Sequence, residues 1–143
     1  MVSLLSSEPK ETEAIGKIFG QKIKKRKGQT ILALIGPLGS GKTTFIKGLA
    51  KGLGIKKRIL SPTFLIFKEF KLPGRKFYHF DCYRINSIKE LKVIDFQKIL
   101  QEKNSIIAIE WAEKILKFLP KKNLLIFKFK YQDEKIREIK ILP

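Results

Sequence analysis

The sequence predicts an α/β fold in which a central, largely parallel sheet is flanked by helices and extended by two hairpins. Apolar residues alternate along the chain between helical and strand-like spacing. The continuous apolar run Thr30–Ile35 is typical of a strand covered on both faces, and a glycine-rich segment leads from it directly into a helical pattern. With 143 residues and 43% hydrophobic content, the chain can form one core and is short for two. We therefore expect a single domain over residues 1–143.

The first half of the chain contains two predicted helices around that strand. Apolar residues at helical spacing predict a helix from Pro9–Lys25, with Ser7 as its N-cap. After the strand Thr30–Ile35, a second apolar stripe predicts a helix that stops at Gly52 and Gly54. Glycine readily adopts the left-handed conformation that ends a helix.

The second half contains two predicted hairpins, one helix and one short strand. Their ranges are 64–71 with 76–81 for the first hairpin, 87–101 for the helix, 105–109 for the strand, and 124–131 with 136–141 for the second hairpin. The first hairpin turns at Pro73 and Gly74, a pair that suits a tight turn.

Composition excludes several classes of protein. The longest apolar runs have the length of strands and not of membrane spans, and a single cysteine, Cys82, permits no disulfide framework. The first residues lack the basic and long apolar segments of a secretory signal. We therefore expect a cytoplasmic protein without a membrane partner.

The formal net charge of +18 allows two interpretations. A strongly basic surface attracts a polyanion such as RNA through counterion release. The basic residues are, however, spread over almost the whole length, as a lysine-biased surface composition would also produce.

A phosphate-binding motif occupies residues 36–43, which match G-x-x-x-x-G-K-[ST] at every fixed position between the predicted strand and helix. Glycines let the backbone N–H groups approach phosphate oxygens, and the following helix N-terminus attracts the same anion. Lys42 is expected to reach the β and γ phosphates, Thr43 to place its hydroxyl on magnesium, and Thr44 to lie near the α phosphate. The predicted nucleotide-binding residues of this loop are Gly39, Ser40, Gly41, Lys42, Thr43 and Thr44.

The motif predicts a fold of the P-loop NTPase type, and the remaining sequence favours ATP with Mg²⁺ as the ligand. We find neither an Asn/Thr-Lys-x-Asp segment for guanine nor an Asp-x-x-Gly switch after the loop. The few arginines do not cluster, as the lid of a small-molecule kinase would require.

Two carboxylates at predicted strand ends are candidate partners for the metal. Glu110 follows the apolar run 106–109, and Asp81 ends the strand before it. Asp81 has a structural alternative, as a turn cap that pairs with Arg84. His79 is interpreted as a packing or hydrogen-bonding residue of its strand. The candidate catalytic residues are Lys42, Asp81 and Glu110.

The order of the motifs resembles the TsaE family. After the phosphate loop come Ser-Pro-Thr-Phe at residues 61–64, Tyr-His-Phe-Asp-Cys-Tyr-Arg at residues 78–84 and Glu-Trp at residues 110–111. The resemblance extends over nearly the whole chain and implies an ATPase subunit that supports threonylcarbamoylation of adenosine in tRNA. It implies as partners the TsaD and TsaB type subunits of the threonylcarbamoyl transferase, with tRNA contacted indirectly through that complex.

The resemblance also implies roles for particular residues. It implies Thr43 and Glu110 as magnesium ligands, Asp81 as essential to hydrolysis, and residues 61–63 as a mobile loop near the phosphates. Thr12 and Arg137 are implied as outlying nucleotide contacts.

Arg84 or Arg137 could serve as an arginine finger in cis. Because neither can be placed from the sequence, we expect slow ATP hydrolysis that partner subunits accelerate. An alternative is a nucleotide-gated binding module, in which ATP orders residues 61–64 for docking and hydrolysis is incidental.

Overall fold

A computed structural model describes residues 2–60 and 66–143. Within these ranges, seven strands form one sheet. The strands are β1 Val2–Ser6, β2 Thr30–Ile35, β3 Phe67–Leu72, β4 Arg75–Asp81, β5 Ile106–Glu110, β6 Leu124–Tyr131 and β7 Arg137–Leu142. Their order across the sheet is β1-β7-β6-β2-β5-β4-β3. The neighbours β6, β2, β5 and β4 are parallel, whereas β1, β7 and β3 pair antiparallel with their neighbours. The predicted parallel centre and both hairpins, β3–β4 and β6–β7, are confirmed.

Helices cover both faces of this sheet. They are α1 Pro9–Lys25, α2 Lys42–Leu53, α3 Lys89–Lys92 and α4 Phe96–Leu100, with 3₁₀ turns at Ala112–Lys114 and Leu116–Phe118. Helices α1 and α2 pack on one core cluster, and α3, α4 and the 3₁₀ turns pack on the other. Strand β2 contributes alternate residues to both clusters, so it is buried on both faces as predicted. Across residues 2–60 and 66–143, no helix has both the length and the apolarity to cross a bilayer.

Helices α1 and α2 touch through their backbones. A Cβ atom added at Gly48 would lie 1.9 Å from the Glu13 carbonyl oxygen, and one added at Gly16 would lie 2.1 Å from the Phe45 carbonyl oxygen. Real Cβ atoms do not approach other atoms this closely, so only glycine permits the contact. The contact holds the first turn of α1 beside the start of α2, where the phosphate-loop motif ends.

Two local predictions are wrong. The N-cap of α1 is Glu8 and not Ser7, whose backbone N–H and hydroxyl both donate to the Glu11 carboxylate at 2.8 Å. The single helix predicted at 87–101 is divided into α3 and α4 by Asp95, which adopts a left-handed φ of 54°. Aspartate tolerates this conformation, and a one-residue excursion leaves the apolar spacing almost unchanged.

Candidate functional site

The phosphate-loop motif lies between β2 and α2, as predicted. Its glycines Gly36, Gly39 and Gly41 have φ values of 151°, 76° and 104°, which a residue with a side chain adopts only with strain. Gly41 is the N-cap of α2, so the loop opens onto the positive end of a twelve-residue helix. The local geometry is therefore that of an anion-binding loop.

The Lys42 ammonium lies over this loop. Its Nζ donates to the carbonyl oxygen of Gly36 and, at 3.0 Å, to that of Pro37. It also lies 4.0 Å from the centroid of the Trp111 ring. Burial lowers the pKa of Lys42 from its ordinary value, and the carboxylates of Glu113, Glu110 and Asp81 act in the opposite direction. The groups in direct contact with the Lys42 ammonium, two carbonyl oxygens and the Trp111 ring, are neutral. Phosphate oxygens can replace them.

Glu110 is the central carboxylate of the site. It ends β5, is 3% exposed, and accepts a hydrogen bond from the Thr43 hydroxyl at 2.7 Å. Its other oxygen lies 2.6 Å from Nε2 of His79, which is fully buried on β4. The predicted metal ligands Thr43 and Glu110 are therefore brought together, although they are far apart in sequence.

The sequence predicts packing or a hydrogen bond for His79, and the structure shows both. The partner of the hydrogen bond, Glu110 on the neighbouring strand, is not indicated by the sequence pattern. The Nδ1 atom of His79 is buried and has no hydrogen-bond partner in the described part of the chain. Because Nε2 faces a carboxylate oxygen, this nitrogen is the one that donates a hydrogen bond, and Glu110 is the acceptor.

Asp81 is level with Glu110 in the parallel pairing of β4 and β5. It is 7% exposed, and its Oδ1 accepts a hydrogen bond from the Tyr83 backbone N–H at 2.9 Å. The turn-capping role left open by the sequence is thus present. It does not conflict with a catalytic role, because the carboxylate ends its strand beside Glu110.

Thr12 and Arg137 lie together on the other side of the loop. Both line a cavity of about 290 Å³ with Gly39, Gly41 and Thr44. Arg137 stacks on the Tyr131 ring at 4.0 Å, and the Tyr131 hydroxyl donates to the carbonyl oxygen of Leu38 at 2.8 Å. The β6–β7 hairpin therefore contacts the phosphate loop at Leu38. Local sequence patterns do not reveal this contact.

The phosphate loop forms a second, smaller cavity with the end of β5. This cavity of about 170 Å³ is lined by residues 38–44 together with Glu110 and Trp111. Ser40 is 1% exposed, and its hydroxyl has no hydrogen-bond partner among residues 2–60 and 66–143.

The described ranges contain no group of three His, Cys, Asp or Glu side chains that could bind a metal ion by themselves. One carboxylate and one hydroxyl fit Mg²⁺, which takes its other ligands from water and phosphate. Residues 61–63, the expected mobile loop, lie outside the described residues.

A glycine-rich loop between a buried parallel strand and a helix, beside a neighbouring strand that ends in a carboxylate, defines an α/β protein of the P-loop NTPase type. The chain belongs to the TsaE family, since the family model described as "Threonylcarbamoyl adenosine biosynthesis protein TsaE" matches residues 6–139. The resemblance inferred from the motifs is thereby confirmed.

Individual relatives agree with this assignment. The tRNA threonylcarbamoyladenosine biosynthesis protein TsaE of Borreliella burgdorferi is 44% identical over 70% of this chain and 72% of its own length. The Bacillus subtilis protein of the same name is 40% identical over 82% of this chain and 71% of its own. The crystal structure of YdiB from Bacillus subtilis superimposes with a TM-score of 0.72 at 32% identity, covering 96% of this chain and 82% of that one.

Proposed function

We propose that this chain binds ATP with Mg²⁺ and hydrolyses it slowly, as a subunit of the machinery that forms threonylcarbamoyladenosine in tRNA. The observation that carries the proposal is the contact of 2.7 Å between Thr43 and Glu110 beside the phosphate loop. A hydroxyl at the end of this motif and a carboxylate at the end of an adjacent strand form the ligand set expected for nucleotide-bound magnesium. The names of the relatives support the process in which the chain takes part.

Each residue of the site has a distinct role in this proposal. The loop amides and the Lys42 ammonium bind the phosphates, and Thr43 and Glu110 hold the metal ion. Bound magnesium would neutralise charge that develops on the phosphate oxygens. Asp81 supports hydrolysis from the adjacent strand end, and Thr12 and Arg137 contact the outer part of the nucleotide. The proposed partners are subunits of the TsaD and TsaB type, which raise the slow basal rate and link the chain to tRNA.

ATP binding is expected to change the fluorescence of Trp111, because the Lys42 ammonium that lies 4.0 Å from its ring would move to the phosphates. In Lys42→Ala, the dissociation constant should rise about 10- to 100-fold, since one charged hydrogen-bonding group is lost. The wild-type chain is titrated with ATP, with and without Mg²⁺, by Trp111 fluorescence. Because Lys42→Ala lacks the ammonium that produces this signal, the two affinities are compared by isothermal titration calorimetry. Lys92→Ala, an exposed lysine of α3, is the matched control. Equal ATP affinity in wild type and Lys42→Ala would contradict the proposed site.

His79 is expected to position Glu110 for the metal. In His79→Leu, the Glu110 carboxylate loses the contact of 2.6 Å that fixes one of its oxygens. Substitution of residues that orient metal ligands typically weakens metal affinity 10- to 100-fold. The half-saturating Mg²⁺ concentration for hydrolysis should rise by that factor, while ATP affinity without Mg²⁺ should not change.

The conservative variant His79→Gln distinguishes positioning from packing. Its Nε2 can still donate to Glu110, so it should recover most of the Mg²⁺ response. If His79→Gln and His79→Leu need the same Mg²⁺ concentration, the hydrogen bond has no positioning role.

A further inference from the structure

A basic groove runs along the end of α2, away from the phosphate loop. Two adjoining cavities of about 730 and 490 Å³ form it and share residues 54–57. The first is lined by the cations Lys17, Lys47, Lys51, Lys56, Lys57 and Arg58, and the second adds Lys71. Ala50, Ile55 and Ile59 form an apolar floor between these cations.

The acidic residues of the basic groove are already neutralised. Glu13 forms an ion pair with Lys51, and Glu69 pairs with Lys76 at 3.3 Å. Within the described ranges, the other cations of the first cavity form no ion pair with a carboxylate. The surface therefore carries an excess of positive charge without internal compensation.

The groove gathers the basic character of the whole chain on one concave surface. Lysine and arginine number 31 against 13 acidic residues overall, and seven cations and two acids line the basic groove. A concave surface of one sign also concentrates the electrostatic potential more than a convex one. The features that set this surface apart are therefore its concave shape and its cations that are unpaired among the described residues.

We propose that the basic groove binds the phosphate backbone of RNA. The choice of RNA rests on the proposed function in tRNA modification and adds a direct contact to the link through the partner subunits, while the charge and shape of the groove are independent of it. Only one aromatic residue, Phe70, lines the groove in the described part of the chain, and it stacks on Phe77 at 5.9 Å. Among the described residues that line the groove, no ring is therefore free to stack with bases, and binding should depend on phosphates and not on sequence.

RNA and nucleotide can bind at the same time. Helix α2 begins with Lys42 at the phosphate loop and ends with Leu53, next to the groove. Twelve helical residues span roughly 18 Å at the standard rise per residue. The groove begins at Lys47 on the same helix, and its lining shares no residue with the two cavities at the phosphate loop, so the two sites are separate.

The test is direct binding of an unmodified tRNA transcript to the isolated chain over 50 to 200 mM salt, roughly the range in which phosphate contacts are revealed. In Lys56→Ala/Lys57→Ala, the slope of log affinity against log salt should decrease by about 2, since two phosphate contacts are lost. Affinity at the lowest salt should decrease on the order of 100-fold, by a similar factor for unrelated RNA sequences. The control, Lys121→Ala/Lys122→Ala, removes two adjacent exposed lysines that do not line the groove and should have little effect.

Three outcomes would overturn the assignment. The first is absence of RNA binding at the lowest salt, and the second is equal loss in the groove and control pairs, which would indicate diffuse charge. The third is competition by poly-glutamate as effective per charge as that by RNA, which would favour an acidic protein as the partner. An ATP titration on the same variants distinguishes failure of the groove proposal from failure of the proposed nucleotide site. Intact ATP binding in Lys56→Ala/Lys57→Ala, together with a failed RNA test, removes the groove proposal and leaves the proposed function standing.

Discussion

Glu110→Ala should still bind ATP but lose at least about 100-fold in hydrolysis rate, a loss typical of removing one group that stabilises developing charge. In the proposed site, the loop amides and Lys42 bind most of the phosphate oxygens, and the substitution does not remove them. Thr43, in contrast, loses the carboxylate that lies 2.7 Å from its hydroxyl. The measurements are ATP affinity from Trp111 fluorescence and phosphate release at saturating ATP and Mg²⁺.

Two further variants make this test specific. Glu110→Gln retains the size of the side chain and an acceptor for Thr43 but removes the charge, so it should lose nearly as much activity as alanine. Glu113→Ala removes a carboxylate that lies 3.3 Å from the Gly36 backbone nitrogen and should change the rate far less. Comparable losses in Glu113→Ala and Glu110→Ala would show that general negative charge near the loop, and not metal binding by Glu110, sets the rate.

The same variants separate an enzyme from a nucleotide-gated binding module. Assembling the transferase with Glu110→Gln in place of the wild-type chain tests whether hydrolysis is needed for tRNA modification. The enzyme hypothesis expects loss of modification together with hydrolysis, while ATP binding persists. Full modification without hydrolysis would favour the module, in which the bound nucleotide controls docking.

Local sequence patterns predicted the parts of this site that are continuous in the chain. Strand β2, the glycine-rich loop and helix α2 follow one another within residues 30–53, and each carries its own signal of periodicity or glycine placement. The carboxylates Asp81 and Glu110 could be predicted because each ends a predicted strand, and parallel strands end at the same edge of a sheet.

The features that sequence patterns missed depend on distant parts of the chain. Strand β1 exists because Val2–Ser6 pairs with β7 at the opposite end of the sequence. The bond between His79 and Glu110 depends on the register of β4 against β5, which periodicity does not specify. Support of the loop by Tyr131 likewise depends on where the second hairpin folds back.

Gly48→Ala is expected to destabilise the protein strongly, although alanine is the better helix former. Helix propensity alone would stabilise α2 by about 1 kcal/mol. The new Cβ, however, would lie 1.9 Å from the Glu13 carbonyl oxygen and 2.8 Å from its carbonyl carbon. These are backbone atoms, so no side chain can rotate away and α1 must move as a unit. Overpacking of this kind costs about 3 kcal/mol or more, so the midpoint of thermal unfolding should decrease by about 10 °C.

The sign of the change decides between packing and propensity. An unchanged or higher unfolding midpoint in Gly48→Ala would show that α1 and α2 separate easily. Gly28→Ala is the control, since nothing lies within 4 Å of its added Cβ and only its φ of 92° opposes the substitution. That strain costs roughly 1 to 2 kcal/mol.

The close contact between α1 and α2 also places Thr12, in the first turn of α1, against Gly41 of the phosphate loop. At temperatures where the protein is still folded, Gly48→Ala should therefore weaken ATP binding, whereas Gly28→Ala should not.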